Sequence, residues 1–142
     1  MKIRQATNDD LVGIEGLLKD NNLPFSDCAE HIANFIIKED ENNIIGAGGI
    51  EVYGSNGLIR SIVVAQNQRG KGIAKDIIKA IKEKSFDLGV TRIFLLTENA
   101  NEYFDKHGFR AVKRTNVPES VMNTKQFKEL CPASAVVMYL EI

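Results

Sequence analysis

The segment that most constrains the fold runs from residue 58 to residue 97. It reads LIRSIVV, then QNQRGKGIA, then the helical pattern IAKDIIKAIKEKSF, then RIFLLT. Two apolar strands joined through a helix cannot form a hairpin; a crossover of this kind sets them parallel. The helix is expected over about 70 to 87, with Ile73, Ala74, Ile77, Ile78 and Ile81 on one face and Lys71, Lys75, Lys79 and Lys82 elsewhere. Gly89 is placed to end it in a left-handed cap.

The flanking segments supply antiparallel neighbours. FIIKED, IIGAGGIEVYG and LIRSIVV are separated by turn residues at ENN and at Gly54 to Gly57, which predicts three strands in hairpin order. Glycines 46, 48 and 49 inside the middle strand suggest a bulge or a close neighbour. Residues 2 to 6 read as a short strand. Thr7 with Asp10 resembles a capping box ahead of Leu11, Ile14, Leu17 and Leu18. Ser26 is a plausible cap for a short helix over about 27 to 34. After RIFLLT come a short helix (100 to 107) closed by Gly108, a strand FRAVKR (109 to 114), a helix from Pro118 to about Leu130, and a last strand in ASAVVMYLEI.

The resulting order, β-α-α-β-β-β-α-β-α-β-α-β, predicts an α/β chain of the α+β sandwich kind. Its sheet is mixed, mostly antiparallel, of about seven strands, with helices on both faces. With 142 residues at 44% hydrophobic composition, one domain over 1–142 is expected. Eighteen basic and nineteen acidic side chains leave a net charge of −1, so no global field would gather nucleic acid or a membrane surface. Cys28 and Cys131 fit no metal or redox spacing, and MKIRQATNDD does not resemble a signal peptide; the expectation is a reducing cytoplasm. Cys28 and His31 share a helix face, but two ligands make no zinc site, and no metal is expected. Cys131 before Pro132 reads as a small buried hydrophobe.

The loop QNQRGKGIA is suited to an anion. A helix start leaves backbone N–H groups unpaired at the positive end of the helix dipole, Gly70 and Gly72 leave room for a phosphate, and Arg69 and Lys71 add charge. A P-loop fails, because Lys71 precedes Gly72 and no Ser or Thr follows. A dinucleotide fingerprint is weak, because its third glycine falls on Lys75. A glycine-rich turn with solvated charges is the plain alternative.

Arg69, Gly72 and Ala74 meet the pattern R/Q-x-x-G-x-G/A, and the loop resembles the acyl-CoA diphosphate loop of the GNAT N-acetyltransferases. EYFDKHGF resembles that family's second motif, FYEKxGF, and the element order is similar to its fold, including a splayed strand pair. LIRSIVV, RIFLLT, YFDKHGF, VPES and SAVVMYLEI resemble, in order, the acetyltransferase domain of N-acetylglutamate synthases. They are also similar to small acetyltransferases associated with bacterial arsenic-resistance operons.

The resemblance implies an acetyl-CoA-dependent enzyme in which a small amino acid or amino-acid-like amine attacks the thioester directly. It places the pantetheine along Ile62, Val63 and Val64, with a Val63 or Val64 amide as oxyanion donor. The diphosphate falls on amides from Arg69 through Gly70, Lys71, Gly72 and Ile73 to Ala74. Thr97 and Phe104 stand at the family's Asn and aromatic positions and are assigned to the cofactor. Glu51 is the candidate base, ahead of Glu98, for an amine whose pKa is about 7.7 to 8 or higher; a surface carboxylate is the alternative reading. Tyr103 is the candidate acid, displaced one residue from the family's tyrosine, with water as the alternative donor. Arg60 with Ser61 is the candidate anchor for an acceptor carboxylate; a cross-strand ion pair is the alternative for Arg60, and Lys125 and Lys128 are other cations. Family resemblance also implies a homodimer through sheet edges or the last strand. The rival functions are a protein or peptide N-acetyltransferase and a non-catalytic acyl-CoA-binding regulatory module.

Overall fold

The computed structural model of the protein describes residues 2–130 and 134–142, so the position of Cys131 lies outside the described residues. The strands are β1 (Lys2–Gln5), β2 (Phe35–Asp40), β3 (Asn43–Tyr53), β4 (Asn56–Val64), β5 (Arg92–Thr97), β6 (Arg110–Ala111) and β7 (Val136–Glu141). The helices are α1 (Leu11–Asp20), α2 (Cys28–His31), α3 (Ile73–Asp87), α4 (Asn101–Lys106) and α5 (Glu119–Met122). The sheet has seven strands in the order β1-β2-β3-β4-β5-β7-β6. β4 and β5 are parallel, as the crossover requires, whereas the pairs β1–β2, β2–β3, β5–β7 and β6–β7 are antiparallel. None of the described helices is long and apolar enough to cross a membrane.

The chain divides into two compact units, Met1–Glu51 with Ser61–Lys84, and Val52–Arg60 with Ser85–Ile142. In the first unit the glycines of β3 have a packing reason. A Cβ at Gly46 would stand 2.8 Å from side-chain carbons of Ile73 and Ile77, and one at Gly48 would stand 2.5 Å from Ile62 and 2.9 Å from Ile77. The apolar face of α3 therefore lies directly on the strand backbone. A Cβ at Gly49 would meet the ring of Phe35 at 2.6 Å. Successive strand residues face opposite sides, so Gly46 and Gly48 face α3. Ala47, on the other side, packs with Ile14, Leu18, Cys28, Phe35 and Ile37. A bulge is present too: the register passes from Lys38↔Gly46 to Glu39↔Ile44, which leaves Ile45 of β3 as the extra residue.

The start of the chain is tied down by charge. Arg4 bonds both oxygens of Asp10, at 2.8 and 2.9 Å, and also Glu39 at 3.1 Å, while the Thr7 amide donates to Asp10 at 2.7 Å. These bonds, the Arg4 guanidinium foremost, lower the Asp10 carboxyl from 3.8 to about 2. A carboxylate lowered on folding contributes stability that is fully present above its unfolded pKa and is lost as pH falls through the folded one. Stability should therefore decline between pH 3.8 and about 2. In acid titrations followed by circular dichroism, Arg4→Met should show a shallower loss across that window than the unsubstituted chain.

In the second unit, Leu58, Phe94 and Val137 pack with Val117, Val121 and Phe127. Here the sequence pattern overstates two elements. The strand expected over 109 to 114 is two residues long and is followed by a 3-10 turn at Arg114–Asn116. The helix expected from Pro118 to Leu130 stops at Met122 and resumes as a π-helical turn, Gln126–Leu130. Thr124 explains the break: its hydroxyl donates to the Val121 carbonyl at 2.7 Å and accepts from the Phe127 amide at 3.4 Å. A side chain that satisfies backbone groups in this way competes with the helical ladder. The short helix near residue 27 is also divided, into α2 and a 3-10 turn at Ile32–Asn34, with Asp27 rather than Ser26 preceding it.

Candidate active site

In the first unit the chain leaves β4 at Val64, makes a 3-10 turn at Gln66–Gln68 and enters α3 at Ile73, three residues later than the periodicity suggests. The reason lies in the glycines. Gly70 and Gly72 have φ of +83° and +76°, left-handed values that end any helical path before residue 73 and that only glycine adopts without strain. A Cβ at either position would meet nothing within 4 Å. The glycines serve backbone shape here and leave open space above it.

The first α3 bond runs from the Asp76 amide to the Gly72 carbonyl, 3.1 Å, which makes Gly72 the cap. The amides of Gly72, Ile73, Ala74 and Lys75 therefore have no partner within the helix. They stand at the end of the dipole that carries about half a positive charge. Arg69 and Lys71 are exposed alongside, with Lys71 Nζ donating to Gln68 Oε1 at 3.0 Å. Asp76, in the first turn, would oppose an anion. Lys38 Nζ meets its carboxylate at 2.7 Å and holds its pKa below the usual range, offsetting that charge.

Of the pantetheine residues expected on β4, Val63 is buried in the core on the α1 side, and Ile62 lies under α3 against the Gly48 position. The Val64 carbonyl accepts from Arg69 Nε at 3.4 Å. Ser61 interrupts the strand with φ +59°, a conformation that costs a non-glycine residue about 1 to 3 kcal/mol. Among the described residues, β4 pairs with β5 at only three positions, Asn56↔Arg92, Gly57↔Ile93 and Leu58↔Phe94. β4 nevertheless runs on to Val64 and β5 to Thr97.

Glu51 is not a surface carboxylate; it is 3% exposed. Its Oε1 lies 3.7 Å from His31 Nε2. Ligand atoms of Asp27, Glu30 and His31 lie within 4.8 Å of one another. Glu98, the other carboxylate considered as a base, is exposed.

In the second unit, Arg60 is 2% exposed. Thr97 Oγ1 accepts from the Ala100 amide at 2.9 Å, so this hydroxyl shapes the entry to α4. Phe104 is buried, its ring edge-on to Phe109 at 5.7 Å. Tyr103, one residue earlier, is 37% exposed and packs on His107 at 4.6 Å. Partial burial raises the pKa of the Tyr103 phenol, so its proton is retained at neutral pH. The two aromatics thus differ in burial, while their rings meet edge-on at 5.4 Å.

Lys38, His31 and Asn21 were not among the residues expected at the site. No local signal marks them, because each meets its partner from a distant part of the chain.

The family model described as "Acetyltransferase (GNAT) family" matches residues 3–109, and the chain belongs to this family. It is 26% identical over 129 residues to the amino-acid acetyltransferase of Neisseria meningitidis serogroup A, an alignment that takes in 84% of this chain and 30% of the relative. It is 33% identical over 89 residues to the amino-acid acetyltransferase of Mycobacterium tuberculosis, which takes in 62% of this chain and 48% of the relative. The chain thus spans less than half the length of either relative. Among solved structures, N-acetylglutamate synthase from Neisseria gonorrhoeae, in complex with coenzyme A and N-acetyl-glutamate, superposes with a TM-score of 0.85 at 21% identity. That match covers 99% of this chain and 34% of that one. A Mycobacterium tuberculosis protein in complex with CoA superposes with a TM-score of 0.84 at 22% identity, covering 100% of this chain and 99% of that one. The shared architecture is the GNAT fold.

Proposed function

We propose that this chain transfers the acetyl group of acetyl-CoA to the amino group of a small amino acid or amino-acid-like compound. The observation that carries this reading is the mouth of α3. Two left-handed glycines, open space above them and unpartnered amides at Gly72, Ile73, Ala74 and Lys75 suit the diphosphate of CoA. Arg69 and Lys71 supply charge. The names of the Neisseria and Mycobacterium relatives support an amino-acid acceptor.

Within this reading the residues divide the work. Backbone amides of Ile62, Val63 and Val64 orient the pantetheine, and one of the valine amides steadies charge on the thioester oxygen. Thr97 and Phe104 line the cofactor. Glu51, buried beside His31, takes a proton from the acceptor ammonium through water, so that the neutral amine attacks the thioester carbon. The departing thiolate takes a proton from water or from Tyr103. Arg60, with Ser61, receives the acceptor's carboxylate; burial strengthens such a charge-assisted bond. The reading needs no metal, nucleic acid or membrane, and it fits a reducing cytoplasm and a homodimer.

The test is thiol release from acetyl-CoA with a panel of free amino acids and of peptides. Turnover with free amino acids, lost when their α-amine is blocked, is expected. Turnover confined to peptides would make the chain a peptide acetyltransferase, and tight cofactor binding without turnover on any amine would make it a binding module.

A further inference from the structure

Arg69 is held from two sides before any ligand arrives. Its Nε donates to the Val64 carbonyl at 3.4 Å, and its Nη2 donates to Asn21 Oδ1 at 2.6 Å. Asn21 follows α1 and is 48 residues away in the chain. Its amide cannot turn freely, because Nδ2 donates to the Leu17 carbonyl at 2.8 Å. Rotating the amide by half a turn would set its oxygen against that carbonyl and its NH2 against the guanidinium, two repulsive contacts in place of two bonds. The orientation that places Oδ1 toward Arg69 is therefore fixed by α1 itself.

An exposed arginine ordinarily keeps most of its rotamer freedom, and ordering it on a ligand costs up to about 1.5 to 2 kcal/mol. Here much of that ordering is already done. Two of the five guanidinium N–H donors are engaged by Asn21 and Val64, and the Nη1 pair takes no part in either bond. Lys71, the neighbouring cation, has a different tether: its amine donates to Gln68, within the loop.

We propose that Asn21 is a positioning residue for the cofactor site, holding the plane of the Arg69 guanidinium so that its uncommitted N–H groups are pre-aimed at the diphosphate of CoA. The inference rests on the assignment of the loop to that diphosphate. Asn21 itself touches no part of the cofactor and acts through Arg69. Its substitution therefore affects the diphosphate and not the pantetheine arm, and it affects affinity and not the chemical step.

Calorimetric titration with CoA and with pantetheine, which lacks the diphosphate, tests this. Asn21→Ala is expected to weaken CoA binding roughly threefold to tenfold, because part of the Arg69 side chain must then be ordered on binding, and to leave pantetheine binding and kcat unchanged. Asn21→Gly is the second variant: residue 21 has φ −107°, which glycine adopts without strain, so the chain path is kept while the acceptor is removed, and the same loss is expected. In an Arg69→Ala background, Asn21→Ala should have no further effect, because the pair acts as one unit. The inference is overturned if CoA affinity is unchanged or tighter in both variants, if pantetheine binding falls equally, or if the two substitutions add independently. Absence of CoA binding by the unsubstituted protein would overturn the loop assignment itself, and the inference with it; the two failures are distinguishable.

Discussion

Replacing Gly72 with valine should raise the dissociation constant for CoA roughly a hundredfold while the fold survives. The residue sits at φ +76°, where a β-branched side chain is a genuine outlier. Its carbonyl accepts the first α3 bond, so relaxing that strain rotates the peptide planes that present the Gly72 and Ile73 amides. Losing two charge-assisted hydrogen bonds at about 1.5 kcal/mol each amounts to two orders of magnitude. A Cβ at Gly72 would have nothing within 4 Å, so no core contact is disturbed and the melting temperature should fall by only a few degrees. Titration calorimetry and thermal melts on the same samples separate the two effects. A variant that melts nearly normally and binds CoA as well as the unsubstituted chain would remove the loop from the cofactor site.

Glu51→Gln should lower kcat by roughly a hundredfold to a thousandfold, within the range of general-base contributions, and leave CoA affinity unchanged. The substitution keeps the shape of a side chain that is 3% exposed, removes its charge, and leaves its neighbour His31 without a carboxylate partner at 3.7 Å. The diagnostic lies in the pH dependence. Raising the pH supplies neutral acceptor amine without a base, so the variant should recover part of its rate while the unsubstituted enzyme gains less. Steady-state rates across pH with a saturating amino acid measure this. An equal deficit at every pH would assign Glu51 to structure or to substrate binding rather than to proton transfer.

The sequence was most legible where its periodicity was strong and its neighbours local. α3 carries isoleucines at helical spacing, and β2, β3 and β4 are bounded by turn residues; all four elements stand within a few residues of expectation. β6 and α5 were less legible because hydrogen bonds outside the hydrophobic pattern decided them. Nothing in the apolar spacing of residues 118 to 130 announces that the Thr124 hydroxyl will take the Val121 carbonyl and interrupt the helix.

The same division runs through the candidate site. Arg69, Gly70 and Gly72 could be read from one loop, although not that the glycines shape the backbone and delay α3 to Ile73. Lys38, which offsets Asp76 from 38 residues away, and Asn21, which orients Arg69, required the fold. Their roles are set by pairing across elements, for which a single sequence carries no local mark.

The most direct measurement is isothermal titration of the purified, folded protein with acetyl-CoA, repeated at increasing salt. Saturable binding at one site per chain, in roughly the micromolar range usual for enzyme cosubstrates and weakening as salt screens the exposed cations, is the predicted result. No heat at millimolar acetyl-CoA, from protein shown to be folded, would contradict the diphosphate site at the mouth of α3 and the acetyl transfer that depends on it.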